Sequence, residues 1–349
     1  MATKTVLLTG ASGFIALHTL DQLLKRNYTV IGTVRSQDKA DNITTQFKKD
    51  YPNAQLTFAI VEDIGAPGAF NKVFQDHPEI EGVLHTASPV SFGLNEDLKD
   101  TYFTPATEGT RNVLEAIQTY GKSVKNVVVT SSLAAVINGN KIGDKTFIHT
   151  EETWNPITWE DVNTGLEAYV ASKTLAEKLA RKFADEKKPS WTLTTINPPF
   201  VLGPQKLEFS LTNKTLNTSA EIVNELLYSD PNDTHFFDAP LGTFIDVRDA
   251  ALVHVLPLEN ENLSGKRLIP IQDVYNGQKL LNIINKTFPE LEGKIAKGSP
   301  ENADRHAEES NIYYDTSKTL EWTGIKSWIT LEESVKDSVR QILDYRSKH

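Results

Sequence analysis

A tyrosine and a lysine stand four residues apart in the stretch Tyr169-Val170-Ala171-Ser172-Lys173. At that spacing, two side chains lie on the same face of a helix. A neighbouring ammonium group stabilises phenolate, so it lowers the pKa of a tyrosine from its ordinary value of about 10. Such a tyrosine can give a proton to an alkoxide as the alkoxide forms. The pair therefore predicts acid–base chemistry at an oxygen atom.

The spacing alone does not single out this pair, because Tyr275 and Tyr314 are also followed by a lysine four residues later. Gly277 interrupts the first of these pairs, and the second lies in a polar C-terminal segment. We interpret both as ordinary surface residues. Tyr169 differs because it lies where strand-like and helix-like patterns alternate, so it is the stronger candidate.

A hydroxyl-rich segment, Thr130-Ser131-Ser132, follows an apolar run upstream of Tyr169. Ligands of open α/β sheets bind outside the carboxyl ends of the strands. A serine there can donate a hydrogen bond to a substrate carbonyl and stabilise its developing negative charge. Hydroxyl groups after a strand also commonly satisfy the backbone of their own turn. From the residues alone, both interpretations of Ser132 stay open.

The segment Thr9-Gly10-Ala11-Ser12-Gly13-Phe14-Ile15-Ala16 follows a short apolar run and leads directly into a helical pattern. A tight turn at Gly10, a close backbone approach at Gly13 and a helix N-terminus together suit a dinucleotide pyrophosphate. Folds that bind NAD commonly carry an acidic residue about 20 residues further on, for the ribose 2′-hydroxyl. This chain has Arg35 in that region and Lys39 one helical turn later. Their charges favour a 2′-phosphate, so NADP(H) is predicted over NAD(H).

The elements that must position these motifs alternate in type through the first half of the chain. Apolar strand-like runs lie at 6–9, 30–34, 56–61, 82–86 and 127–131, and helical patterns lie at 14–26, 37–49, 66–74, 105–120 and 167–184. Continuous apolar strands separated by helices predict a parallel sheet covered on both faces. Another strand is predicted at 192–196. The alternation then fades into a strand at 242–247 and helices at 274–288 and 331–345.

We therefore expect an α/β fold with a Rossmann-like, doubly wound parallel sheet and a smaller, mixed C-terminal lobe. The predicted NADP-binding domain covers residues 1–200, with some later segments returning to it. The predicted substrate-binding lobe covers mainly residues 201–349.

Composition narrows the possible partners. The 349 residues are 39% hydrophobic and 23% charged, which is typical of a globular protein. The net charge of −10 argues against nucleic acid or an anionic membrane as a partner.

Without cysteine there are no disulfides or thiolate ligands, and His235 and His254 lack partners at ligand spacing, so no metal is predicted. Neither a run of about 18 apolar residues nor a signal peptide is seen, so we expect a cytoplasmic protein.

Together the motifs resemble the short-chain dehydrogenase/reductase superfamily in its extended form. Segments 32–36, 85–89, 197–204 and 244–249 are similar to its dihydroflavonol-reductase-like branch. Segments 35–40, 152–156 and 216–219 are most similar to fungal NADPH-dependent methylglyoxal and aldehyde (carbonyl) reductases. The resemblance covers essentially the whole chain. It implies a monomer or homodimer that reduces small aldehydes and ketones to alcohols with NADPH.

The resemblance also implies roles for individual residues. Ser132 would polarise the carbonyl, Tyr169 would donate the proton, and Lys173 would lower the pKa of Tyr169 and hold the nicotinamide ribose. Tyr169 and Lys173 are also implied to contact the cofactor. The other implied cofactor contacts are Gly10, Ala11, Ser12, Gly13, Phe14, Ile15, Arg35, Lys39, Asp63, Ile64, Thr86, Ser88, Thr130, Pro198, Val201 and Ser219. Apolar residues beside these motifs predict a substrate pocket, although each can equally belong to the core: Val90, Phe92, Leu133, Ile137 and Phe200.

Two alternatives remain. An epimerase or dehydratase of the same superfamily, acting on nucleotide sugars, would bring cationic diphosphate contacts in the second lobe. The stretch 200–218 offers only Lys206 and Lys214. A non-catalytic NADP-sensing regulator would not need Ser132, Tyr169 and Lys173 together. We therefore favour the carbonyl reductase.

Overall fold

The computed structural model describes residues 4–88, 97–212, 216, 218–233, 237, 240–304 and 312–349. The strands within this part of the chain are β1 (Thr5–Thr9), β2 (Thr29–Val34), β3 (Leu56–Ile60), β4 (Ile80–His85), β5 (Asn126–Thr130), β6 (Thr192–Ile196), β7 (Phe200–Leu202), β8 (Pro240–Asp246), β9 (Arg267–Leu268) and β10 (Asp273–Asn276). The α-helices are α1 (Phe14–Lys25), α2 (Gln37–Asp50), α3 (Asn71–Asp76), α4 (Thr104–Tyr120), α5 (Gly165–Lys187), α6 (Thr218–Leu226), α7 (Val247–Val255), α8 (Gly277–Thr287), α9 (Ser317–Thr323) and α10 (Leu331–Lys348).

The main sheet has the strand order β3-β2-β1-β4-β5-β6-β9, and its strands pair in parallel. Its first six strands follow the order of a doubly wound dinucleotide-binding sheet. The central strands are buried on both faces, as parallel strands between helices must be. Leu7, Val83 and Val127 pack in one core with Val113 and Leu114 of α4. The predicted fold class is confirmed.

The chain divides into two compact units. The first unit consists of residues 1–138, 151–197 and 251–269 and carries the seven-stranded sheet. The second unit consists of residues 139–150, 198–250 and 270–349 and carries a small mixed sheet of order β10-β8-β7. The second core is built largely from α8 and α10 against Phe244 and Tyr275.

Two of the predicted helices begin later in the structure than the sequence pattern indicates. The helix predicted at 274–288 begins only at Gly277, because Val274 and Tyr275 pair with β8 in antiparallel register. The side chain of Asn276 caps α8 by accepting a hydrogen bond from the Lys279 amide. Tyr275 is therefore not a surface residue: it is 1% exposed and its ring meets Phe244 edge to face. The helix predicted at 66–74 begins at Asn71, after a turn in which residue 68 has a positive φ.

The described helices include none that is long and apolar enough to cross a membrane. Across the same residues, no group of three or more His, Cys, Asp or Glu side chains is arranged to hold a metal ion.

Candidate active site

Two elements of the first unit bring Ser132 and Tyr169 together. Ser132 follows β5, and Tyr169 lies in the first turns of α5. A capping box fixes where that helix begins: the Thr164 hydroxyl accepts from the Glu167 amide, and the Glu167 carboxylate accepts from the Thr164 amide. As a result the phenol of Tyr169 lies 3.4 Å from the hydroxyl oxygen of Ser132, to which it donates.

The hydroxyl of Ser132 satisfies the backbone of its own turn and also contacts Tyr169. Its oxygen accepts a hydrogen bond from the Ala134 amide at 3.1 Å, which caps the short 3₁₀ turn Leu133–Ala135, and a second one from Tyr169. A hydroxyl has two acceptor positions and one donor. Because both acceptor positions are used, the proton of Ser132 is the part left to donate to a ligand.

Burial dominates the electrostatics of the site. It lowers the pKa of the Lys173 ammonium to about 8, one helical turn beyond Tyr169. Burial, together with the charge of Lys173, lowers the pKa of His85 to about 3, so this histidine is neutral; its Nδ1 lies 2.9 Å from the Thr9 hydroxyl. Burial raises the pKa of Tyr169, and the hydrogen bond with Ser132 opposes that rise. The pKa of Tyr169 therefore lies above its ordinary value, because the cost of desolvating a phenolate exceeds the stabilisation that the Ser132 hydrogen bond provides.

The glycine turn after β1 is tightly packed and held by hydrogen bonds to the neighbouring strand. Gly10 has a φ of +64°, and a Cβ at this position would lie 2.8 Å from the Cα of Ala87. The amides of Gly10 and Ala11 are held by the side chain and carbonyl of Thr33, at 3.1 and 2.9 Å. Thr33 was not singled out from sequence, since nothing marks this strand residue as a partner of the turn.

The N-terminus of α1 fits an anionic ligand. Gly13 caps the helix without a side-chain hydrogen bond, and the first turn has no acidic residue. A Cβ at Gly13 would lie 3.3 Å from the Gly10 carbonyl oxygen, so the turn favours a residue without a side chain there. Arg35 and Lys39 are exposed at the end of β2 and in the first turn of α2. These donors and cations fit the pyrophosphate and 2′-phosphate of NADPH.

Other predicted cofactor contacts of the first unit are held by hydrogen bonds of their own. The Asp63 carboxylate accepts from the Gly65 amide at 2.8 Å, and the Ile64 carbonyl accepts from the Asn112 side chain at 2.9 Å. The Thr86 hydroxyl donates to the Thr9 carbonyl. Thr130 lies 2.7 Å from Nε2 of His254. Ser12, Phe14, Ile15 and Ser88 are half-buried.

The predicted substrate contacts are distributed over both units. Leu133 is buried and Ile137 half-buried in the first unit, directly after Ser132. Phe200 is 42% exposed in the second unit, where its ring meets Tyr275 edge to face. The predicted cofactor contacts Pro198, Val201 and Ser219 also belong to the second unit. Val90 and Phe92 lie outside the described residues.

Sequence reasoning missed a buried polar network behind the serine turn, formed by Asn155, Glu177, Asn197 and Arg267. Glu177 is entirely buried on α5 and pairs with Arg267 at 2.7 Å. A signal for it was present, because Glu177 continues the helix face of Tyr169 and Lys173 at the same spacing of four.

A doubly wound sheet with a glycine turn after its first strand and a tyrosine–serine pair beside its fifth strand is the arrangement of an enzyme that uses a dinucleotide. Residues 6–271 match the NAD dependent epimerase/dehydratase family, and the chain belongs to this family.

Similar proteins are NADPH-dependent reductases. The NADPH-dependent methylglyoxal reductase of Saccharomyces cerevisiae is 39% identical over 99% of both chains. The crystal structure of yeast methylglyoxal/isovaleraldehyde reductase complexed with NADPH has a TM-score of 0.92 and 38% identity, covering 99% of this chain and 100% of that one. Gre2 of Candida albicans in complex with NADPH has a TM-score of 0.91 and 41% identity, covering 98% and 99%. The predicted family is confirmed, and these relatives favour the reductase over the nucleotide-sugar alternative.

Proposed function

We propose that this protein reduces small aldehydes and ketones to alcohols with NADPH. One observation carries the proposal: the phenol of Tyr169 lies 3.4 Å from the hydroxyl of Ser132. Tyr169 is also one helical turn away from Lys173, whose ammonium is buried. A substrate carbonyl oxygen can accept hydrogen bonds from both hydroxyls. The relatives provide independent support, since they are named as NADPH-dependent reductases.

NADPH, when bound, supplies the hydride that adds to the carbonyl carbon. The chain's own residues position the cofactor. We assign the pyrophosphate to the glycine turn and helix N-terminus of residues 10–15, and the 2′-phosphate to Arg35 and Lys39. The other cofactor contacts remain predictions from the resemblance: Asp63, Ile64, Thr86, Ser88, Thr130, Pro198, Val201 and Ser219.

The proton chemistry belongs to Ser132, Tyr169 and Lys173. Ser132 donates a hydrogen bond to the carbonyl oxygen and holds the charge that develops there. Tyr169 transfers its proton to that oxygen, so the substrate leaves as a neutral alcohol and the tyrosine becomes phenolate. The raised pKa of Tyr169 keeps its proton in place until the alkoxide forms. With a pKa of about 8, Lys173 is protonated at neutral pH and stabilises the phenolate until water returns a proton.

We propose that the substrates are small and apolar on the side away from the carbonyl, because Leu133 and Ile137 directly follow Ser132. Phe200, Val90 and Phe92 remain substrate contacts predicted from the sequence. We also propose that the protein is a monomer or homodimer and that it acts in the cytoplasm. Light scattering would test the oligomeric state, and cell fractionation would test the location.

Consumption of NADPH, followed by its absorbance with a panel of carbonyl compounds, tests the proposed function. The panel comprises methylglyoxal, isovaleraldehyde, a diketone, an aryl ketone and a UDP-sugar, and the alcohols are identified by chiral chromatography. We expect turnover of the aldehydes and of at least one ketone, with one alcohol formed per NADPH. Turnover of the UDP-sugar alone would overturn the proposal in favour of nucleotide-sugar chemistry. NADPH binding without any turnover would favour the sensor.

A further inference from the structure

The serine turn is attached to a buried carboxylate that the proposed mechanism does not use. Glu177 lies on α5 one turn beyond Lys173 and is entirely buried. Its carboxylate accepts hydrogen bonds from Ser131 at 2.6 Å, Thr195 at 2.9 Å and Asn197 at 2.6 Å. It also forms ion pairs with Arg267 at 2.7 Å and with Arg181 at 3.3 Å. Burial acts to raise the pKa of Glu177, but Arg267, the Ser131 hydrogen bond and the charge of Arg181 together outweigh it and hold the pKa below its ordinary value. Glu177 is therefore a fixed negative charge with its acceptor positions occupied.

The network reaches the turn that carries Ser132 through three backbone carbonyls. The Asn197 side chain, which bonds Glu177, also donates to the carbonyl of Ser132 at 3.0 Å. The Asn155 side chain donates to the Ala134 carbonyl at 3.0 Å, and its amide donates to the Ala135 carbonyl at 2.9 Å. The 3₁₀ turn is thus held from both ends.

Arg267 joins these contacts. Its guanidinium donates to the Ala135 carbonyl at 3.3 Å and to the carbonyls of Glu151 and Thr153. It also lies over the ring of Trp154, 3.8 Å from its centre. Replacing this arginine would therefore disturb the serine turn, the segment before Asn155 and the carboxylate of Glu177 together.

We propose that Glu177, Asn155, Asn197 and Arg267 are positioning residues that set the distance between the Ser132 hydroxyl and the Tyr169 phenol. Asn197 is the critical link because it bonds both the Glu177 carboxylate and the Ser132 backbone. The expected effect on kcat rests on the proposed function. Catalytic groups lose efficiency steeply when their geometry shifts, and a misplacement of about 1 Å can cost about a hundredfold. A network confined to buried polar atoms can hold this geometry because each of its members is fixed by several bonds.

Asn197→Ala and Thr195→Val form a matched pair for testing the proposal. Each removes one hydrogen bond to Glu177 from β6 or its end, together with one further bond. For Thr195 the further bond is the one that its hydroxyl accepts from Arg181 at 2.6 Å, and for Asn197 it is the one to the Ser132 carbonyl. We expect both variants to lower the melting temperature. Asn197→Ala lowers kcat about ten- to a hundredfold and leaves the Kd for NADPH within about twofold. Thr195→Val leaves kcat within about twofold. An equal loss of kcat in the two variants would overturn the inference, because it would mean that the network only stabilises the fold and does not position Ser132.

A double variant tests whether Asn197 acts through Ser132. Adding Asn197→Ala to Ser132→Ala should leave kcat unchanged within about twofold, since the group being positioned is already gone. The same fold-loss in both backgrounds would refute the proposal.

A crystal structure of Asn197→Ala provides a readout that does not depend on activity. We expect the distance between Ser132 Oγ and Tyr169 Oη to lengthen beyond hydrogen-bonding reach. An unchanged distance would overturn the positioning role. Failure of the wild type to reduce any carbonyl compound would instead overturn the proposed function, and the structural result would still decide the inference.

Discussion

The buried charge of Lys173 should destabilise the folded protein. Replacing Lys173 should therefore raise the free energy of unfolding, although it disables the proposed site. Burial lowers the pKa of its ammonium from 10.5 to about 8. One unit of pKa corresponds to about 1.4 kcal/mol, so keeping the buried group charged near pH 7 costs about 3 kcal/mol. Methionine has a similar length and no charge. We therefore predict that Lys173→Met raises the free energy of unfolding by about 3 kcal/mol near pH 7.

The pH dependence of this gain follows from the same pKa. Above about pH 8 the folded protein loses the Lys173 proton, whereas the unfolded chain keeps it until about pH 10.5. Between these values the unfolded state binds more protons, so wild-type stability rises with pH relative to the variant. The advantage of Lys173→Met should accordingly shrink from about 3 kcal/mol near pH 7 to about 1 kcal/mol near pH 9.5.

Urea denaturation without cofactor, followed by tryptophan fluorescence at both pH values, measures this difference. The comparison between variant and wild type cancels the titration of other groups. Lys182→Met is the matched control, because Lys182 lies on the same helix with its side chain 75% exposed. It should change stability by no more than about 0.5 kcal/mol at either pH. A gain for Lys173→Met that does not vary with pH, or a loss at both pH values, would refute the reasoning.

Three further predictions concern the cofactor, the network and the pH profile. Arg35→Ala should raise the KM for NADPH about ten- to a hundredfold and leave that for NADH within about twofold, in initial-rate assays; equal effects would contradict the 2′-phosphate assignment. Arg267→Met should lower the free energy of unfolding by about 1–3 kcal/mol in urea, because Glu177 loses its buried partner and keeps only the ion pair with Arg181 at 3.3 Å; a loss below about 0.5 kcal/mol would count against the network. The kcat/KM for aldehyde should fall above about pH 8 as Lys173 loses its proton; a flat pH–rate profile up to about pH 9.5 would contradict its charged role.

The first unit could be predicted closely because its strands are continuous apolar runs that leave few alternatives to a parallel sheet. The second unit could not be predicted as well. Val274 and Tyr275 precede a helical pattern without interruption, and only pairing with β8 makes them a strand. Such pairing depends on tertiary partners, which local sequence does not specify.

The candidate site could likewise be predicted only in part from the sequence. Ser132 and Tyr169 could be placed in one region because strand ends of a parallel sheet share an edge. The network behind them depends on residues far apart in the chain: Arg267 meets Glu177 across 90 positions. Charged residues are rarely buried, so their sequence pattern by itself predicts exposure. Only the fold shows that these two neutralise each other beneath the serine turn.

Tyr169→Phe, measured against Tyr275→Phe, tests the central claim most directly. Both variants remove one hydroxyl from a tyrosine followed by a lysine four residues later, and the Tyr275 hydroxyl has no hydrogen-bond partner among the residues that the structure describes. The assay is kcat for aldehyde reduction together with the Kd for NADPH. We predict that Tyr169→Phe abolishes turnover and leaves NADPH binding within about twofold, while Tyr275→Phe retains both. Aldehyde reduction by Tyr169→Phe at the wild-type rate would contradict the account.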